Sequence, residues 1–152
     1  MLQLEGCFVK YDNSNFIGVE DKTEIVKKCG PSIGYDSDTL TRRDDVLTYL
    51  GTGDGEAYKR YRSNRTSTSG AVQGAAQCVG DLSGSKCQDC LSDAIERLRT
   101  ECGAATWGDM YLAKCYVRYA TGAIRPNPTG EQGKWFHHHH GWWFLIFGFL
   151  VL

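Results

Sequence analysis

Cys87-Gln88-Asp89-Cys90 places two thiols three residues apart, and with Cys78, Cys102 and Cys115 it puts five of the seven cysteines between Gln77 and Tyr116. Three chemistries use such a spacing. A disulfide oxidoreductase lowers the pKa of one C-x-x-C thiol near a helix start and uses it to attack a substrate disulfide. A zinc site takes two thiolates from C-x-x-C and two further ligands, which here His137 to His140 would have to supply. A small exported domain uses closely spaced cysteines as a framework of bridges. The zinc reading fails on geometry, because four consecutive histidines cannot all face one ion and these follow Pro126, Pro128, Gly130 and Gly133 in a low-complexity stretch. The redox reading requires a free attacking thiol, whereas each of these cysteines is expected to be tied up in a separate structural bridge. Bridges are the expected use, with no metal and no cofactor.

Other catalytic patterns are absent. The chain has no G-x-S-x-G, H-E-x-x-H or phosphate-binding glycine loop, and no histidine before His137. Asp44-Asp45 reads as the solvated side of a helix, so no enzyme is expected. Net charge is -1 with pI near 6.4, and only Lys59, Arg60, Arg62 and Arg65 cluster, which argues against nucleic acid as a partner. Asn64-Arg65-Thr66 is a glycosylation sequon, with Asn64 as the candidate acceptor, and its Ser/Thr/Gly/Arg setting suits a surface loop of a secreted chain. Met1 to Glu5 lacks the charged and apolar regions of a secretory signal. Gly141 to Leu152 is an apolar run of 12 residues, where a spanning helix needs about 20.

The elements that must position the cysteines are legible from periodicity. Ser83 is a good N-cap for a helix in which Cys87, Cys90, Leu91, Ala94, Ile95, Leu98 and Cys102 recur at spacings of three and four, and Gly103 ends it. Asp93 with Arg97, and Arg97 with Glu101, form i,i+4 pairs on its solvent side. Ser37 or Asp38 caps an earlier helix carrying Leu40, Leu47 and Leu50, stopped by Gly51 and Gly53. Thr23 to Lys28 reads as an edge strand, and 57–62 and 71–78 as two strands flanking a loop at 63–70. After a turn at Gly108-Asp109, Tyr111, Ala113, Cys115, Val117 and Tyr119 read as one face of a strand, with Trp107 beside the turn as an aromatic contact residue. A helix turning three cysteines inward onto an antiparallel sheet is an α+β domain.

Leu4 to Tyr11 and Leu112 to Tyr119 both read L-x-x-C-[FY]-V-[KR]-Y, offset by 108 residues. On this repeat, residues 1–22 are the last strand of a truncated preceding copy plus a linker that adds little to folding. Residues 23–121 are the complete copy, and 122–152 a low-complexity and short apolar tail. Cys7 is then left unpaired.

The spacing C-x8-C-x2-C, with Cys102 and Cys115 beyond it, resembles the plant ginkbilobin-homologous or stress-antifungal domain over residues 23–121. The resemblance implies two helices on a five-stranded antiparallel sheet stapled by three disulfides: Cys29 with Cys102, Cys78 with Cys87, and Cys90 with Cys115. The wording AQCVGDLS, CQDCLSDAI, WGDMYLAKCYVRY and GCFVKYDNSNF is similar to the second domain of the plasmodesmata-located proteins. That similarity implies a non-enzymatic, apoplast-facing module at the plasma membrane of plasmodesmata that influences cell-to-cell traffic. Its partners would be cell-surface proteins, cell-wall components or other domains of this type, with the membrane reached only through a missing or truncated C-terminal helix. The alternatives are a secreted mannose-binding antifungal protein and a receptor-like kinase ectodomain. Where the mannose-binding members use Asn, Arg and Glu, this chain has Gly30, Asp109 and Ala120, and none of these repeats the side-chain hydrogen bonds of its counterpart. No mannose binding is expected there.

Overall fold

The computed structural model describes residues 2–4, 7–32, 34, 36–52, 60–66 and 70–122, with the backbone alone for residues 2–4, 7 and 8. The expectation that Cys7 is unpaired therefore lies outside the described side chains, as does everything expected of 123–152.

In chain order the elements are β1 (Leu2–Leu4), β2 (Cys7–Val9), β3 (Glu24–Cys29), α1 (Ser37–Thr52), β4 (Tyr61–Arg65), β5 (Val72–Cys78), α2 (Gly84–Cys102), β6 (Trp107–Leu112) and β7 (Cys115–Thr121). Strands β3-β6-β7-β5-β4 form one antiparallel sheet in that order, and β1 and β2 pair separately. Both helices contact the sheet, α1 over β5 and β4 and α2 over β6 and β7. The fold is therefore the α+β arrangement of two helices on a five-stranded antiparallel sheet.

Helix α2 begins where Ser83 accepts the Lys86 N–H and ends where Gly103, at φ 50°, donates to Arg99 O. Its cysteines, Leu91, Ala94, Ile95 and Leu98 form the buried face. Asp93 pairs with Arg97 at 2.9 Å, but Glu101 reaches Lys27 of β3 rather than Arg97. Helix α1 is capped by Asp36, one residue before Ser37 and two before Asp38, the expected caps. Its carboxylate accepts the N–H groups of Asp38 and Thr39 at 3.2 and 3.3 Å and the Thr39 hydroxyl at 2.6 Å. Gly51 lies inside this helix against Ile95 Cδ1, and the buried Arg62 of β4 donates to the carbonyls of Leu50 and Gly51. These last-turn carbonyls have no donor partners within the helix, so a cation there satisfies both the hydrogen bonds and the helix dipole.

The region after α2 is a hairpin, where the alternation read as a single strand. Gly108-Asp109 lies within β6, and the turn is Ala113-Lys114, because Tyr111 pairs with Tyr116. A two-residue turn changes the parity of the core-facing positions. Met110 and Leu112 point inward before it, and Cys115, Val117 and Tyr119 after it, all at most 5 % exposed. Gly74 and Gly108 let the helices approach the sheet, since a Cβ at Gly74 would lie 2.8 Å from both Val46 and Leu50, and one at Gly108 2.9 Å from Leu98.

Residues 10–22, part of the stretch 1–22 expected as a truncated copy's last strand plus a linker, are bonded to the domain. Lys114, only 3 % exposed, donates to Asp81 Oδ2 at 2.6 Å and to Phe16 O at 2.8 Å. Asp81 Oδ2 also accepts the Gly18 N–H at 2.7 Å, and Lys86 donates to Gly18 O at 2.6 Å. The Phe16 ring faces the ammonium groups of both Lys10 and Lys114 at 5.2 and 5.3 Å.

Candidate functional site

One helix carries a sulfur to each of three strands. Cys87 of α2 bonds Cys78 at the end of β5, Cys90 bonds Cys115 at the start of β7, and Cys102 bonds Cys29 at the end of β3. Cys87 and Cys90 are one turn apart on the buried face, which aims both inward, and the different strands they reach fix both the rotation and the position of α2 on the sheet. All six sulfurs are consumed, so C-x-x-C here has no attacking thiol. Among the described residues no group of three or more His, Cys, Asp and Glu is arranged to hold a metal.

Gly30, Asp109 and Ala120 gather at one end of the sheet, around Trp107. Gly30 N–H donates to Trp107 O at 2.9 Å, Ala120 is the cross-strand partner of Trp107, and Asp109 follows two residues along β6. A Cβ at Gly30 would collide with the Trp107 indole and lie 2.7 Å from Thr106 Oγ1. An asparagine therefore cannot be accommodated at position 30 while the indole holds this place. Asp109 is buried and faces Arg118, whose Nε lies 3.3 Å from Oδ1. This end of the sheet thus holds an indole, a methyl group and the Asp109–Arg118 ion pair, in place of the amide, guanidinium and carboxylate that the resemblance implies for a mannose site. The Trp107 role was not legible from spacing, because the space it fills is made by a glycine 77 residues earlier in the chain.

The helix-free face carries a cross-strand row of Val26, Tyr111, Tyr116, Gln77 and Tyr61, set by the register of the five strands. Tyr111 and Tyr116 stack with ring centroids 5.3 Å apart, and Tyr61 is the exposed end of the row at 49 %. Burial, with the neighbouring Tyr61 and Tyr111, pushes the Tyr116 hydroxyl up to about 12, so it stays neutral and carries no acid-base chemistry near neutrality. Asn64 lies in β4, not in the expected loop, half-buried, with its Oδ1 accepting the Arg65 N–H at 2.8 Å. Among the described residues no helix is long and apolar enough to cross a membrane.

The profile of the salt stress response/antifungal family matches residues 28–122. Plasmodesmata-located protein 6 of Arabidopsis thaliana is 58 % identical over 132 residues, covering 87 % of this chain and 44 % of that protein. The crystal structure of the tandem DUF26 ectodomain of the Arabidopsis thaliana cysteine-rich receptor-like protein PDLP5 matches with a TM-score of 0.63 at 53 % identity, over 73 % of this chain and 51 % of that one. The corresponding PDLP8 ectodomain matches with a TM-score of 0.71 at 41 % identity, over 79 % and 55 %. This chain spans less than half the length of the curated relatives it resembles, 44 % and 38 % for plasmodesmata-located proteins 6 and 7. The cysteine spacing, the helices on their five-stranded sheet and the matched profile agree, and the chain belongs to the salt stress response/antifungal family, as a cysteine-rich module of the type found in the ectodomains of plasmodesmata-located proteins.

Proposed function

We propose that this chain is a non-catalytic, apoplast-facing interaction module of a plant cell-surface protein at plasmodesmata, acting on cell-to-cell traffic through contacts with other surface proteins, cell-wall components or domains of its own type. The observation that carries this reading is the 58 % identity to a plasmodesmata-located protein over 132 residues. The chemistry of the site supports it. The six scaffold cysteines are spent on bridges, and the tyrosine row offers contact area rather than nucleophiles. Residues 23–121 are the proposed folding unit.

Raising and abolishing expression of the gene in leaf epidermis, while following a free fluorescent protein from single cells, tests the proposal. Raised expression should reduce the number of neighbouring cells reached and loss should increase it. Unchanged diffusion in both arms counts against the reading.

A mannose-binding antifungal role is the competing class, and a 28 % identical relative is the antimicrobial ginkbilobin-2-like protein of Castanea crenata. The indole over Gly30 and the Asp109–Arg118 pair argue against it. Calorimetry with mannose should give no saturable heat. A Kd below about 1 mM, roughly -4 kcal/mol, would restore the lectin reading.

A further inference from the structure

The five-stranded sheet ends in β4, and among the described residues no strand pairs with its outer side. Thr66 N–H bonds Val72 O and Cys78 N–H bonds Arg60 O. Antiparallel strands alternate, so the main-chain groups of Arg60, Arg62, Asn64 and Thr66 turn toward β5 and those of Tyr61, Ser63 and Arg65 turn outward. The register with β5 is unbroken from Tyr61 to Arg65, and β4 contains no proline. A straight open edge of this kind is a template for a further strand.

Asn64 is folded onto that edge. Its Oδ1 accepts the N–H of Arg65, one of the outward-facing donors, at 2.8 Å. The same residue opens the sequon Asn64-Arg65-Thr66, and its Nδ2 is the atom that N-glycosylation modifies. We propose that Asn64 carries an N-linked glycan that stands over the open edge of β4 and prevents pairing of that edge with a second copy of this chain. In the transfer, Nδ2 attacks C1 of the reducing-end sugar of a lipid pyrophosphate-linked oligosaccharide. The C–N bond forms as the C–O bond to the pyrophosphate breaks, the lipid pyrophosphate departs with the bonding electrons, and the amide proton passes to the transferase base. The inference rests on the extracellular reading above, since only chains entering the secretory pathway meet that donor.

The test is to send the full chain through a plant secretory pathway behind a heterologous leader, map glycans and disulfides by mass spectrometry, and measure mass against concentration by light scattering. Wild type should carry one glycan on the Asn64 peptide and remain monomeric. Asn64→Gln should associate at a concentration at least tenfold lower, while Thr66→Ser, which keeps the sequon, should match wild type. Ser63→Pro added to Asn64→Gln removes an outward N–H without touching the β5 ladder and should restore the monomer. A secreted chain with its three bridges formed and Asn64 bare overturns the inference alone. So does an Asn64→Gln chain as monomeric as wild type, or association that survives Ser63→Pro. A chain retained with its six scaffold cysteines reduced overturns the extracellular reading instead.

Discussion

Helix α2 with its three strands and the segment of residues 10–22 are held to the same sheet by opposite means. Around α2 the contacts are covalent and apolar: three bridges, with Leu91, Leu98, Met110 and Val117 at 0 % exposure. The segment is held by charged groups of the domain, Lys114 donating to Phe16 O, Asp81 accepting the Gly18 N–H and Lys86 donating to Gly18 O, while the Lys10–Asp21 pair braces the segment internally. It leaves Tyr11 and Ile17 exposed at 89 % and 64 %. Apolar burial and sulfur bridges do not depend on pH across the acid range, whereas each ion pair does. The two regions should therefore separate under reduction, truncation and acid.

The largest effect is expected from the longest bridge. By loop-closure entropy, Cys29–Cys102, which spans 73 residues, contributes about 4.4 kcal/mol, against about 3.5 for Cys90–Cys115 and about 2.6 for Cys78–Cys87. Replacing both Cys29 and Cys102 by alanine should lower the urea unfolding free energy by about 4 kcal/mol. A loss under about 1 kcal/mol would mean that packing alone holds α2 to β3. Next comes Leu98→Ala, at the contact of α2 with Gly108. It should cost about 3 kcal/mol and leave hydrogen-exchange protection of residues 10–22 unchanged relative to global unfolding.

Lys114→Met should act on the other region. It strands the Asp81 carboxylate, which retains the Gly18 N–H and 20 % exposure, at a cost of about 1 to 2 kcal/mol. Exchange at Gly18 and Val19 should accelerate at least tenfold while α2 stays protected. Equal acceleration in both would make the segment part of the core. Residues 23–121 alone should unfold only a few degrees below the full chain, since the apolar core is intact in both.

The smallest expected effect is that of acid. Lys10 hydrogen-bonds Asp21 and, with Thr23, outweighs its partial burial, holding the carboxyl at about 2 against an ordinary 3.8. At Asp81 burial works upward, but the Lys114 hydrogen bond and the Gly18 N–H together bring the group below its ordinary value. Both are depressed in the folded state, so their contribution is full above about pH 4 and is lost as pH falls toward 2. Limited pepsin digestion across that range should cleave within residues 10–22 before it touches 84–121. Simultaneous loss of both would contradict the separation.

Much of the domain is legible in local pattern. Helix α2 and both its caps follow from spacing, because Ser83, the three-four apolar repeat and Gly103 each act within a turn or two. The edge position of β3 and the family were likewise readable from short runs of residues. The β6–β7 turn was not, since Leu112-Ala113-Lys114-Cys115 contains none of the Gly, Pro, Asn or Asp that mark turns, and apolar alternation runs straight through it.

Composition and spacing by themselves determined that six cysteines frame one α+β domain, because bridge and helix periodicities are properties of neighbouring residues. Only the tertiary structure decided what Lys114, Trp107 and Asn64 do. The partners of Lys114 are Asp81 and Phe16, 33 and 98 residues away, and burying its ammonium is tolerable only once both have been brought together. Trp107 fills space that Gly30 leaves, and the Asn64 carboxamide lies at an edge only because β4 is last in the sheet. These are relations between distant parts of the chain, set by how five strands are ordered, and strand order is fixed by packing rather than by any single segment.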